Sequence, residues 1–457
     1  MKYPDGSKIP AWRQNLQLMS DPLRYLDRLG QQYGHLFTTA FGPISVVLVS
    51  DPEALKEIFT NTKEITTPGD FSKILAPIVG TNGLLLLSGA HHRQRRKLLM
   101  PAFHGMRVQA YVQQICALTR QTFDRLPVGK PFLAYPTLQT IALDLITEVV
   151  FGLQTGVRDR QLKRLLPLLM NCARSPYVEL ALAIPALQRD LGKWSPWGYF
   201  LYLRHQFEQL LDDEINERRR QADSTRPDVL TELIFARDET GRSLTNEEIR
   251  DIFPSLLFAG RDASSAALSW VLYWVHRLPE VRNRLLQELS DLGELPEPLK
   301  IVQLPYLTAV CNEALRIYPT QVVTFPRRVE SPVELMGYHL EPGTVVRGNI
   351  YLTHQRPDLY PNPQEFRPER FLERQFSAYE FLPFGGGTRR CPGEVLALFE
   401  MKLILATILS HYQLTLATQQ PEYPKRRGVN FPPKGGVKAI VTARRAMPST
   451  SLMASVS

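Results

Sequence analysis

The segment that most constrains this chain is Phe384-Gly385-Gly386-Gly387-Thr388-Arg389-Arg390-Cys391-Pro392-Gly393, in which three glycines run into a cysteine that precedes a long apolar stretch. Glycines at 385 to 387 let the backbone pass close to a flat group. The spacing predicts Cys391 at or near a helix N-cap and Pro392 at the first helical position, where free N–H groups and the helix dipole lower a thiol's pKa. Cys116, Cys172 and Cys311 lie far from it and none forms a C-x-x-C pair, which excludes a structural zinc site and a disulfide framework. A single thiolate is nevertheless sufficient as the only protein ligand of a haem iron. An isolated cysteine is ordinarily a small buried hydrophobe; the flanking glycines and helix argue against that here.

With 457 residues, 44% of them hydrophobic, the chain can bury a large core as one large domain or two. Lys and Arg outnumber Asp and Glu by 54 to 45, and the excess sits in short groups at 93–97, 218–220 and 425–427. These read as solvated faces and not as a nucleic-acid arm. A basic patch for an acidic redox partner is the sharper alternative. Residues 1–30 contain neither an apolar run of about 18 residues nor a signal-peptide core. With cysteines suited to a reducing compartment, the expectation is a soluble, cytoplasmic protein.

Two β-rich runs, Leu36–Phe41 and Ile44–Val49, flank Gly42-Pro43 and predict a hairpin; further β-rich parts are expected near 320–352 and 412–442. Apolar residues between the first two regions recur at three and four, as helices require. Thr245 and Glu248 form a capping box, predicting one long helix to about Arg277, bent by Pro254. The tail from about 446 to 457 is expected to be disordered.

Phe384-x-x-Gly387-x-Arg389-x-Cys391-x-Gly393 resembles the haem-binding signature of the cytochrome P450 family. Glu313-Ala314-Leu315-Arg316 resembles that family's Glu-x-x-Arg helix, and Pro368-Glu369-Arg370-Phe371 its later arginine segment, in the family's order. The resemblance implies a single domain over 1–457, mainly α with a smaller β-rich portion (α+β), shaped as a triangular prism. Haem b would sit between the long helix and the Cys391 loop. It also implies that Glu313, Arg316 and Arg370 form a buried triad rather than the exposed pair that three-residue spacing alone suggests. His92, Arg96, Arg389 and Arg328, the last with Arg327 beside it, would bind the haem propionates.

Ala259-Gly260-Arg261-Asp262-Ala263-Ser264 resembles the family's oxygen-activating stretch. Gly260 would leave room for O2 and Asp262 would relay protons. Ala263 stands where the family has its first threonine. Ser264, about 100° further round the helix, ordered water, or a substrate hydroxyl would have to replace the missing group. The resemblance points to a monooxygenase that hydroxylates an apolar substrate, a long-chain fatty acid or terpenoid, with apolar residues between Ile74 and Leu87 forming part of the wall. Electrons would come from a separate donor, a ferredoxin with its reductase, docking near the basic residues on the cysteine-loop side. Because of Ala263, two rivals stand beside this reading: a peroxide-using peroxygenase or isomerase, and a non-catalytic haem protein.

Overall fold

In the computed structural model, the described residues are 3–103, 111–152, 156–226, 228–293 and 297–445. The expected disordered tail at 446–457 lies outside them. Helices α1 (Ala11–Ser20) and α2 (Pro22–Tyr33) lead into a hairpin of β1 (Leu36–Phe41) and β2 (Ile44–Val49), in register from Leu36 opposite Val49 to Phe41 opposite Ile44. Gly42, at φ +61°, supplies the left-handed turn the hairpin needs.

The hairpin is extended by strands far away in sequence. With β3 (Ile65–Thr66), β5 (Arg327–Val329) and β8 (Val345–Gly348), it forms a five-stranded sheet in the order β1-β2-β8-β5-β3. A second sheet orders β4 (Pro131–Leu133), β10 (Lys438–Arg444) and β9 (Tyr412–Leu416), while β6 (Val333–Leu335) and β7 (Tyr338–Leu340) pair alone. All three expected β-rich regions therefore contain strands.

Helices dominate the remainder: α3 (Gly89–Leu99), α4 (Ala134–Phe151), α5 (Val157–Ala173), α6 (Pro196–Gln221), α7 (Ile252–Arg277), α8 (Pro305–Ile317) and α9 (Glu394–His411). α7 is apolar nearly all round and buried from Ala266 to Tyr273, as a central helix packed on several sides must be. It lies against α4, α8 and α9.

The structure corrects two expectations about this helical part. The capping box at Thr245 and Glu248 is present, but it heads a short helix, Asn246–Arg250, and α7 starts separately at Ile252. Pro254 explains the break: it has no N–H to give the carbonyl of Arg250, and its ring would clash there. Asp251, at the junction, instead accepts from the Asn82 backbone N–H at 2.8 Å and its side-chain amide at 3.0 Å. Nor is the basic group at 218–220 all surface. Arg218 is 2% exposed, bound by Glu214, Asp228, Thr231 and the Phe151 carbonyl.

Candidate active site

The Cys391 loop is built by close approach. Gly385 and Gly387 have φ of +71° and +64°, and a Cβ on Gly386 would fall 2.3 Å from the Phe59 ring. On Gly387 it would lie 2.8 Å from the Phe59 carbonyl oxygen. The loop closes when the Cys391 N–H donates to the Phe384 carbonyl at 2.9 Å, with Phe384 packed on the main core. α9 then begins at Glu394 with Gly393 as its cap. Cys391 thus precedes the N-cap by two residues and Pro392 lies outside the helix, which starts two residues later than the spacing predicted.

Cys391 is open to its surroundings at the surface yet deep among protein atoms. Burial pushes its thiol up; the Gly393 N–H and the cations of Arg96 and Arg390 pull it back, and Glu394 opposes them. The expected lowering is therefore outweighed in the protein alone, because desolvation disfavours a thiolate more than these few donors favour it.

Beside the cysteine lies an uncompensated cluster of arginine cations with a neutral histidine, His92, among them. Arg96 on α3 senses the Cys391 thiolate, Arg389 senses Arg96, and both His92 and Arg327 sense Arg389. Burial, then neighbouring positive charge, lowers the pKa of His92 to about 4, Arg327 to about 9 and Arg389 to about 10. Arg389 is held by the carbonyls of Leu84, Thr67 and Leu87, but its Nε has no partner. Among the described residues no carboxylate acts on His92, Arg327 or Arg389. Such a cluster fits a group bearing two anionic arms, as haem does.

The sequence leaves open which of two neighbouring arginines joins this cluster, and their placement differs. Arg327 is 1% exposed, donates to the Gly386 carbonyl at 2.9 Å and lies 4.2 Å over the Phe59 ring. Arg328 points the other way, 3.9 Å from Asp70 and over Phe71. Successive residues of a strand face opposite sides, so only Arg327 joins the cluster.

Glu313, Arg316 and Arg370 are brought together and buried. Glu313 accepts from Arg316 Nε at 2.7 Å, Arg316 Nη2 at 2.8 Å, Arg370 Nε at 3.1 Å and the Arg367 backbone N–H at 2.9 Å. Arg316 also donates to the carbonyls of His354 and Glu365, and Arg370 to that of Pro361. The triad ties α8 to the 361–370 segment.

On α7, between Ala259 and Ser269, only Ala259, Gly260 and Ala263 escape burial, and they share one face. A Cβ on Gly260 would meet the Ile146 side chain at 3.0 Å, so its smallness serves the approach of α4. Asp262 is 1% exposed and occupied: it pairs with Arg174 and accepts from Gln139 Nε2 at 2.9 Å. It is not a free relay. The helix runs through Ser264 without interruption, so no distortion swings that hydroxyl into the place of Ala263. Ser264 instead meets Glu400 of α9.

Sequence reasoning left Arg327 and Arg328 undecided and missed Glu400 and the partners of Asp262. Strand alternation could have chosen Arg327, and Glu400 shows as an acid within the apolar run Glu394–His411. Nothing local announces Arg174 or Gln139, which reach Asp262 only through the tertiary fold.

The cytochrome P450 family model matches residues 4–438. The chain belongs to the cytochrome P450 family. It is 34% identical to a Mycobacterium tuberculosis protein provisionally named cytochrome P450 135B1, over 99% of this chain and 94% of that one. It is 31% identical to cytochrome P450 138 of Mycobacterium bovis, also a provisional name, over 97% of each. The solved structure of retinoic acid bound cyanobacterial CYP120A1 matches with a TM-score of 0.83 and 25% identity, covering 97% of this chain and all of that one. This P450 has the family's α+β fold and is a haem-thiolate oxidoreductase, a monooxygenase that uses O2 and electrons from a donor protein. No helix among the described residues is long and apolar enough to cross a membrane.

Proposed function

We propose that this P450 hydroxylates a long-chain fatty acid or terpenoid, with haem b held through Cys391. His92, Arg96, Arg327 and Arg389 would hold the propionates, and the triad of Glu313, Arg316 and Arg370 would brace the fold behind the cysteine loop. The observation that carries the reading is the carboxylate-free cation cluster reaching from Cys391 to Arg327. Bound haem supplies O2 activation, and donation from the thiolate favours O–O cleavage. The overall reaction takes substrate, O2, two electrons and two protons to alcohol and water.

For the substrate class, a narrow cavity lies among Leu166, Leu169, Met170, Phe200, Leu257 and Phe258, with Arg204 and Arg250 among its polar lining. The apolar walls suit a long hydrocarbon; the cavity, about 20 Å³, must open for one to enter, and Arg204 and Arg250 are already paired with Glu208 and Asp212. The solved relative's ligand, retinoic acid, is built on such a chain. An acidic ferredoxin is the proposed donor, drawn by exposed basic residues such as Arg93 and Lys97 near the haem-binding helix.

Titrating the purified holoprotein with retinoic and palmitic acids, and following the Soret band, tests this class. A saturable shift with either, followed by a hydroxylated product under reducing conditions, supports it; no shift and no product with both removes it. Ala263 favours one other reading, peroxide-driven oxidation without an electron donor. Turnover with peroxide but none with a ferredoxin system would establish that instead.

A further inference from the structure

The polar end of a long-chain acid needs a cation that has no carboxylate of its own, and the arginines around the narrow cavity do not supply one. Arg204 is bound to Glu208 and to the Pro77 carbonyl, and Arg250 to Asp212. Arg174 is committed to Asp262. Arg347 on β8 differs from all three. Its Nε donates to the Thr324 carbonyl at 2.8 Å, and its guanidinium carbon lies 5.1 Å from the centre of the Phe41 ring. Among the described residues its two Nη atoms make no hydrogen bond and no carboxylate pairs with it.

Strand pairing sets where this cation points. β8 lies between β5 and β2, with Val346 opposite Arg327 and Arg347 opposite Leu48. Side chains alternate along a strand, so Val346 joins the core face that holds Val47 and Phe59, whereas Arg347 shares the other face with Val345, Leu48 and Val46. That second face also collects Val322 and Val323, with Phe41 and Phe71 packed against it. Arg347 is therefore a lone cation in apolar surroundings, half-buried, and burial lowers its pKa to about 10 with no neighbouring charge involved. It stays charged near neutrality, and a charge so placed gains strongly from an anionic partner.

The same strand ties this cation to the cluster beside the cysteine. The 322–325 segment runs along β8: the Thr324 N–H donates to the Gly348 carbonyl at 2.8 Å, and Thr324 Oγ1 accepts from the Gly348 N–H at 2.9 Å. The Phe325 ring lies 4.4 Å from the Arg389 guanidinium, and the Phe325 carbonyl accepts from Arg327 Nη1 at 3.1 Å. The carbonyl that orients Arg347 and the ring that touches the propionate cluster thus belong to adjacent residues.

We propose that Arg347 is the substrate-carboxylate anchor of this P450, holding a long-chain carboxylic acid by its head while the chain runs along the apolar face past Phe325 toward Arg389. This rests on the long-chain substrate of the proposed function and narrows it to the acids among fatty acids and terpenoids. With Nε taken by Thr324, the two Nη atoms remain to form the paired N–H···O contacts that a planar guanidinium makes with a carboxylate. An alcohol of the same chain length forfeits those contacts and leaves the cation unpaired.

Calorimetric titration of the holoprotein with palmitic acid and with 1-hexadecanol, followed in parallel by the Soret band, tests this. The wild type should bind the acid about 10- to 100-fold more tightly than the alcohol. R347Q should lose that preference by weakening the acid alone, R347K should recover part of it, and R328Q should behave as the wild type. Under ferredoxin-driven turnover of palmitic acid, hydroxylation should be confined to a few carbons in the wild type and spread along the chain in R347Q. A merely structural arginine would weaken acid and alcohol together, and that result overturns the inference. Equal binding of the two ligands by the wild type, or binding of neither, also overturns it, and this comparison holds even if R347Q does not fold. If the acid binds through Arg347 but gives neither a Soret shift nor a product, the hydroxylation reading fails and the anchor stands. If wild type and R347Q bind and hydroxylate the acid alike, the hydroxylation reading stands and the anchor fails.

Discussion

Arg327 and Arg328 differ by one position, yet one is buried beside Arg389 and the other is a half-exposed partner of Asp70. Replacing Arg327 with Gln should lower the haem-to-protein ratio and speed haem loss to a scavenger protein. R328Q should leave both unchanged, since an exposed ion pair contributes only about 0–1 kcal/mol. Equal effects from the two would contradict the assignment. Glu313 is a stronger case, because it offsets two buried guanidinium groups with four hydrogen bonds. E313Q leaves that charge uncompensated and should cost about 3–5 kcal/mol, measured by denaturant unfolding of the holoprotein. At this scale the sequence was most readable where a residue type is forced by chemistry, as at Cys391, Glu313, Arg316 and Arg370. It was least readable where a partner arrives from a distant segment, as at Asp262 and Glu400.

Among the elements, the cysteine loop is shaped by helix Pro52–Thr60 through Phe59. The clash predicted for G386A is with a side chain and that for G387A with backbone. Unfolding midpoints of G386A combined with Phe59→Leu should therefore show less destabilisation than the sum of the single changes. G387A should gain nothing from the same partner, because its φ of +64° strains any side chain as well. Additive behaviour in both pairs would contradict this account of the loop. The hairpin and the capping box were visible in sequence because each is a local signal. The break at Asp251 was not, because Pro254 acts on the carbonyl four residues earlier and the resulting turn is completed by Asn82. The same holds for Gly260, whose reason lies on another helix, at Ile146.

For the whole molecule, buried titratable groups set the acid stability. Burial lowers His276 to about 4 and His354 to about 3, and His354 Nε2 accepts from the Leu382 N–H at 3.0 Å, which requires it to stay unprotonated. These folded values lie below the ordinary 6.5, so unfolding takes up protons. The stability they lend is present above about pH 6.5 and is lost as pH falls toward 4 and 3. Glu400, raised to about 7 from 4.5, works the other way and lends stability that is lost as pH rises from 4.5 to 7. Three strongly lowered histidines, His92 among them, against Glu400 leave a net fall on acidification, about 1.4 kcal/mol per pH unit for each uncompensated proton. Urea unfolding from pH 7 to 5 should show that fall, H354Q should flatten it and E400Q should steepen it; the reverse order would contradict these signs. The overall architecture followed from helical periodicity, three β-rich regions and motifs in a fixed order, whereas sheet order, with β8 between β2 and β5, did not. The central claim is that Cys391 supplies the thiolate to haem, and the ferrous-carbonyl difference spectrum of wild type and C391S tests it most directly. The account predicts the strongly red-shifted Soret band of a thiolate-bound carbonyl in the wild type and its loss in folded C391S that still contains haem. The same band in both proteins, or its absence from haem-loaded wild type, would contradict it.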